Sequence, residues 1–233
     1  MKGGKYILIL ILKIIAAVIL TIILVLTNLE LIVSNMEYFD IQYQRYDVYN
    51  NLSIDKGQLL DGTRHLIDYL KGREDNLDIP VTLGGDTVNL FNAKEIAHLE
   101  DVRVLFEQGY RLRLWSVLVL AIFLVIIYRL TRRGRVSFLK SIRHMSLYPF
   151  VLIGLLALAF ITDFNRYFTY FHLIFFTNDL WMLNPKTDRL IVMYPEGFFM
   201  DTALLILGLF VIEMAVIFTV SSILMKHKHG TGK

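Results

Sequence analysis

The 233-residue sequence contains no cysteine. Disulfides, thiolate nucleophiles, thiolate-bound metals and lipid attachment to a cysteine of the chain itself are thereby excluded, and any folded part must hold by packing alone. The chain also lacks a G-x-S-x-G elbow, an H-E-x-x-H helix, a P-loop and a G-x-G-x-x-G turn, so none of those local signatures supplies its chemistry. A third scarcity is of acid in particular places. The N-terminus, residues 129–145 and the C-terminal tail carry Lys and Arg without one Asp or Glu.

Apolar residues are abundant instead. They make up 55% of the chain, with a mean hydropathy of +0.54, which exceeds what a soluble domain of this length carries and calls for lipid as solvent. Four apolar runs stand out, at 6–33, 112–130, 147–161 and 202–225, and about 20 residues suffice to cross the hydrocarbon core. The first run lacks a small-residue cleavage pattern and reads as an uncleaved anchor. The expected fold class is an α-helical integral membrane protein, with four transmembrane helices and a small mixed extracytoplasmic cap.

Charge placement orients these spans. The positive-inside rule assigns the three acid-free stretches to the cytoplasm, while 19 of the 21 acidic residues fall in segments 35–113 and 163–201. The expected order is transmembrane helix 1 at 1–34 with its N-terminus inside, an extracytoplasmic cap at 35–111 and helix 2 at 112–130. A basic cytoplasmic loop at 131–146, helix 3 at 147–162, an aromatic extracytoplasmic loop at 163–200, helix 4 at 201–225 and a cytoplasmic tail at 226–233 follow. The net charge of +3 and pI near 9.0 are then a topology signal and an attraction to anionic membrane lipid, and no nucleic-acid partner is expected. Two charges fall inside spans: Lys13 can snorkel to the cytoplasmic surface, and Glu213 can serve as an interhelical partner.

Within the first outer segment, Ser53 is expected to N-cap a helix over 54–71 that stops at Gly72. Gly84-Gly85 separates two short β-like runs. Asn92 and Glu95 have the spacing of a capping box that opens a helix carrying His98 toward the second span, with Gly109 the one expected interruption. In the second outer segment, 184–188 reads as a turn and Pro195 as the start of the last helix. Eleven aromatic residues stand in the 36 residues 164–199, more than an interfacial belt requires, which suggests a lined acyl or headgroup pocket.

The six histidines sort by position. His144, His227 and His229 lie in basic stretches and His65 on the expected cap helix, all with solvated roles. His98 has Asp101 at i+3, placed to accept its Nδ1 proton. His172 stands among Phe171, Phe175 and Phe176, where an unpaired imidazole carries a desolvation cost, with Asn178 and Asp179 close behind. The outer segments offer only Ser34 and Ser53 as serines. The simplest enzymatic scheme has two histidines moving protons while the substrate supplies the nucleophile. Two alternatives stay open: a metal-dependent lipid or lipoprotein hydrolase with His98, Asp101 and His172 as ligands, and a non-enzymatic lipid- or partner-binding membrane protein.

The run HLEDV at His98 and the later string FHLIFFTNDLWMLNPKTDRLIVMYPEGFF together resemble the bacterial lipoprotein intramolecular transacylase family, Lit, over nearly the whole chain. One departure is Leu99, where the family usually has Met, a volume-conserving exchange. The resemblance implies transfer of the sn-2 acyl chain of a diacylglyceryl-modified lipoprotein onto the α-amine of its N-terminal cysteine, giving a lyso-form lipoprotein. Diacylated bacterial lipoproteins would be the substrate. It also implies catalysis by His98 and His172 without cofactor or metal. Asp101 and Asp179 are the candidates to orient the imidazoles, and Phe171, Phe175, Phe176, Asn178 and Trp181 to hold the substrate. No acyl-enzyme is then needed, because the acyl group moves within one molecule.

Overall fold

A computed structural model describes residues 2–131 and 134–226. Arg132, Arg133, His227, Lys228 and His229, which carry part of the charge pattern, lie outside the described residues. Among the described residues four helices are long and apolar enough to cross a membrane: Gly4–Val33, Ala93–Leu130, Arg135–Leu158 and Glu196–Lys226. The chain is an α-helical, multi-pass membrane protein. It divides into two compact units.

The first unit comprises Met1–Asn28, Arg111–Leu158 and Leu204–Lys233. It contains most of α1 (Lys2–Val33), the apolar part of α5 (Ala93–Leu130), all of α6 (Arg135–Met145), the start of α7 (Pro149–Phe175) and most of α9 (Glu196–Lys226). Ala16 and Ala17 of α1 form a buried cluster with Ile127 of α5 and Met145 of α6; small residues let membrane helices approach closely where lipid offers no hydrophobic drive for association. A second cluster joins Ile153 of α7 to Phe210 and Met214 of α9. Glu213 finds the partner its position requires. The Asn28 amide donates to its carboxyl at 3.1 Å, and Asn28 is fully buried.

Segment 131–146 is not the loop that its basic composition suggests, because α6 occupies most of it. Its apolar residues Phe138, Ile142 and Met145 join the cluster around Ala16 and Ala17, so an amphipathic face stabilises a helix where charge alone reads as a solvated turn.

The second unit comprises Leu29–Tyr110 and Ala159–Ala203. It holds the short helices α2 (Met36–Arg45) and α3 (Val48–Leu52), then α4 (Lys56–Leu70), the hairpin β1 (Pro80–Leu83) and β2 (Asp86–Asn89), and α8 (Arg189–Met193). The polar start of α5, the end of α7 and the start of α9 complete it. One core, including Phe39, Tyr43, Leu59, Leu66, Leu90 and Phe198, joins these pieces. Inside it the Tyr43 hydroxyl is hydrogen-bonded to Thr63 at 2.7 Å and to the Tyr194 hydroxyl at 3.0 Å, so the buried hydroxyls are satisfied.

Three local expectations change. The N-cap of α4 is Asp55, not Ser53: the Asp55 carboxylate accepts from the Gly57 and Gln58 N–H groups at 2.8 and 3.2 Å. Ser53 instead closes α3 in a left-handed conformation with φ 55°. α5 is continuous over 38 residues and passes Gly109 without a break. Finally, 163–200 is not loop throughout. α7 breaks at Asp163 and resumes to Phe175, and the Asp163 carboxylate accepts from the Arg166 N–H at 3.2 Å as an N-cap does for a new helical segment. The hairpin turn, by contrast, is where it was expected. Gly84 and Gly85 both take positive φ, 61° and 96°, as a two-residue turn between right-twisted strands requires.

Candidate active site

His98 reaches its place through α5. Asn92 and Glu95 make the reciprocal cap expected of their spacing: the Asn92 side chain accepts from the Glu95 N–H at 3.0 Å, and Glu95 accepts from the Asn92 N–H at 2.6 Å. The second oxygen of Glu95 accepts from the Leu190 N–H at 2.6 Å. Burial pushes the Glu95 carboxyl up, and these two backbone donors partly offset it. Beside it Asp188 accepts from the Asn92 amide at 2.9 Å and from the Asn184 N–H at 2.7 Å. The string NPKTD is therefore a turn that closes on Asp188 and is latched to the start of α5.

A helix of 38 residues is about 57 Å long, nearly twice the hydrocarbon thickness. The polar third that carries His98 therefore stands outside the apolar stretch 112–130. His98 is 7% exposed, and so is His172 near the end of α7. Their ring centroids lie 6.2 Å apart. Phe176 packs against both, at 5.2 Å from His98 and 5.6 Å from His172. Trp181 stacks on His172 at 4.7 Å, and Phe171 meets His172 edge-on at 5.4 Å. Phe175 extends this wall through Phe171 at 4.8 Å and is itself half exposed.

The two imidazoles differ in their hydrogen bonding. His172 Nδ1 lies 2.7 Å from the Phe168 carbonyl. A carbonyl only accepts, so Nδ1 carries the hydrogen and Nε2 of the neutral ring keeps a lone pair. Burial lowers the His172 pKa, and the bond to Phe168 partly restores it. Nδ1 of His98 is buried with no hydrogen-bond partner. Burial first, and then the neighbouring His172, lower the His98 pKa to about 4. Both rings are therefore neutral near pH 7.

The expected orienting carboxylates do not perform that task in this structure. Asp101 raises the His98 pKa by its charge, but its carboxylate accepts from the Asn178 amide at 2.8 Å rather than from His98. Asp179 is exposed, and the group that fixes His172 is the Phe168 carbonyl. Asn178 in turn braces Trp181, whose indole N–H donates to the Asn178 carbonyl at 3.1 Å. Two contributors were missed in the sequence. Phe168 lies one helical turn before His172, a relationship hidden once this stretch is taken for loop. Lys94 bonds the Met182 carbonyl at 2.6 Å and carries no local signal of doing so. Among the described residues no three His, Cys, Asp or Glu side chains are grouped as a metal site would require.

In sequence, residues 14–199 match the family described as lipoprotein intramolecular transacylase Lit. No curated protein matches the chain. In fold, the chain is similar to the in meso structure of the membrane integral lipoprotein intramolecular transacylase Lit from Bacillus cereus, with 19% identity and a TM-score of 0.77 over 95% of this chain and 98% of that one. A histidine-to-alanine variant of that Bacillus cereus protein matches with 19% identity and a TM-score of 0.74, over 97% and 98%.

Proposed function

The chain belongs to the lipoprotein intramolecular transacylase family, Lit, a family of acyltransferases acting on lipoproteins, and from that premise we propose that it moves the sn-2 acyl chain of a diacylglyceryl-modified lipoprotein to the α-amine of the N-terminal cysteine. The product is the lyso form. The observation that carries the residue assignment is the pair of buried, neutral imidazoles 6.2 Å apart in one aromatic wall.

In this reading His172 is the general base. Its Nδ1–H is committed to Phe168, so its Nε2 lone pair takes a proton from the neutral amine as its nitrogen bonds to the sn-2 carbonyl carbon. His98, also neutral, donates from a ring N–H to the oxyanion of the tetrahedral intermediate. As the C–O bond to glycerol breaks and the C–N bond persists, His172 returns its proton to the departing glyceryl oxygen. An ester and an amine become an amide and an alcohol, and mass is conserved. Phe171, Phe175, Phe176 and Trp181 hold the acyl chain and glyceryl group so that ester and amine meet, with Asn178 and Asp101 bracing that wall. Positioning of this kind can contribute roughly 7 to 11 kcal/mol in well-oriented intramolecular reactions.

The reading includes a topology. The N-terminus, residues 131–146 and the tail face the cytoplasm, spans 112–130 and 147–162 connect them to the other side, and the site opens on the extracytoplasmic face where lipoprotein substrates and membrane lipids are met. Charge placement supports this orientation. A topology reporter inserted after Pro185 should read extracytoplasmic, and a cytoplasmic signal would refute it.

The direct test is mass spectrometry of a lipoprotein N-terminus after co-expression in a host without N-acylation. The wild-type chain should shift one acyl group to the amine at unchanged total mass, and loss of an acyl mass would mean hydrolysis. His98→Ala and His172→Ala should abolish the shift. Conversion persisting in both would overturn the assignment.

A further inference from the structure

Among its described residues the first compact unit holds a group of cations without a counter-charge. Met145 of α6 shares its buried cluster with Ala16 and Ala17 of α1. Lys13 precedes these alanines by one turn on the same face, so the packing directs it toward α6. On α6, Lys140, Arg143 and His144 follow at i, i+3 and i+4 and share a face, and His144 lies within electrostatic reach of Lys13, Lys140 and Arg143. None of these residues enters an ion pair among the described residues. Glu213, the acid of this unit, is bonded to Asn28.

An apolar groove of about 280 Å³ adjoins this group. It runs between α6 and α9, lined by Leu139 and Ile142 on one side and Ile217, Val220 and Leu224 on the other. Leu139 and Ile142 are the immediate chain neighbours of Lys140 and Arg143, and the Arg143 guanidinium lies 5.9 Å over the Phe218 ring of α9. Cationic head and apolar trough are thus joined at one place.

We propose that this is a binding site for one anionic phospholipid of the bilayer, its phosphodiester held by Lys13, Lys140 and Arg143 and one acyl chain lying in the groove between α6 and α9. A free phosphate has no use for the groove, and a zwitterionic headgroup leaves the cations unbalanced. The site shares no residue with the histidine pair and stands whether or not that pair is catalytic.

Native mass spectrometry of the purified full-length protein tests it, with phosphatidylglycerol, phosphatidylcholine of the same acyl chains, and inorganic phosphate as separate probes. Each Lys or Arg near an anionic headgroup contributes about fivefold in affinity, so phosphatidylglycerol should be favoured over phosphatidylcholine by more than tenfold and phosphate should not be retained. Lys140→Gln, at an exposed side chain, should lower the preference about fivefold, and Lys140→Gln with Arg143→Gln should nearly abolish it. Val220→Trp, which fills the groove, should weaken both lipids and leave their ratio unchanged. Equal retention of the two lipids, a preference untouched by the α6 variants, full binding by Val220→Trp, or phosphate retained as well as phosphatidylglycerol would each overturn the proposal.

Discussion

The Trp181 indole lies flat on the His172 imidazole, with centroids 4.7 Å apart and planes 26° from parallel. Stacking covers one face of the imidazole. In the proposed mechanism it also places π density against a ring that gains positive charge as it takes a proton, an interaction of about 0.5 to 2 kcal/mol.

Replacing Trp181 by Ala should therefore slow lyso-form production about tenfold. Trp181→Phe should recover most of the rate, because a ring remains to stack. Initial rates on a diacylated lipoprotein, measured across pH, separate this from loss of a wall. Only a role on the imidazolium moves the acid limb of the profile toward lower pH in the Ala variant.

The four spans were legible because a membrane demands about 20 apolar residues in a row, and no other constraint writes so long a signal. The Asn92–Glu95 cap was legible because both partners lie within one turn. α6 and the helical end of α7 were not, since their helicity depends on partners distant in sequence: Met145 on Ala16, Phe168 on Phe199. His98 and His172 stood out one by one as a His with a nearby acid and a His among phenylalanines. Their juxtaposition, and the Asp101–Asn178 bond across 77 positions, have no local signature at all.

pH should act on stability through His98. Its pKa falls from 6.5 in the unfolded chain to about 4 in the fold, so between these values the unfolded chain binds more protons. Stability is then complete above pH 6.5 and declines as pH falls toward 4, by no more than about 3 kcal/mol. His98→Gln should flatten that decline. Thermal unfolding of both proteins in detergent between pH 4 and 7 checks this, and parallel curves would show that His98 is not the group responsible.

The bond from Asn178 to Asp101 predicts an order of severity. Asn178→Ala removes one exposed, charge-assisted hydrogen bond worth about 1 kcal/mol. Asn178→Asp sets two carboxylates against each other and pushes the Trp181 loop away from α5. Transacylation should fall severalfold in the first variant and further in the second. Asp101→Asn combined with Asn178→Asp should restore much of the loss by rebuilding the pair, whereas additive losses would mean that the bond is not what holds the loop.

Between the spans, half-buried Glu213 and buried Asn28 form a polar pair in the first unit. Such interhelical bonds contribute about 0.6 kcal/mol on average in membrane proteins. Glu213→Gln retains an acceptor and should leave the melting temperature within a degree or two of wild type. Glu213→Leu strands the buried Asn28 amide and should cost about 1 to 3 kcal/mol. Asn28→Leu in the same background should return most of that cost, since with both polar groups gone nothing is left unpaired.

Glu95 carries the sharpest structural prediction, because one fully buried carboxylate accepts two backbone N–H groups at 2.6 Å, one from Asn92 in its own cap and one from Leu190, 95 positions further along the chain. Glu95→Gln keeps the shape but turns one acceptor into a donor facing an N–H. Repulsion replaces one bond, and a charge-assisted acceptor becomes a neutral one at the other. A loss of about 2 to 4 kcal/mol follows. Glu95→Ala leaves both donors unpaired, although the space it opens can admit water to them. The glutamine variant should therefore be at least as destabilised as the alanine variant, the reverse of the order that side-chain size predicts. Because this latch ties the Leu190 segment to α5 one turn before His98, both variants should lose transacylation together with stability. A glutamine variant as stable as wild type would mean that Glu95 is already protonated in the fold and directs its O–H to a further acceptor while still accepting from both N–H groups.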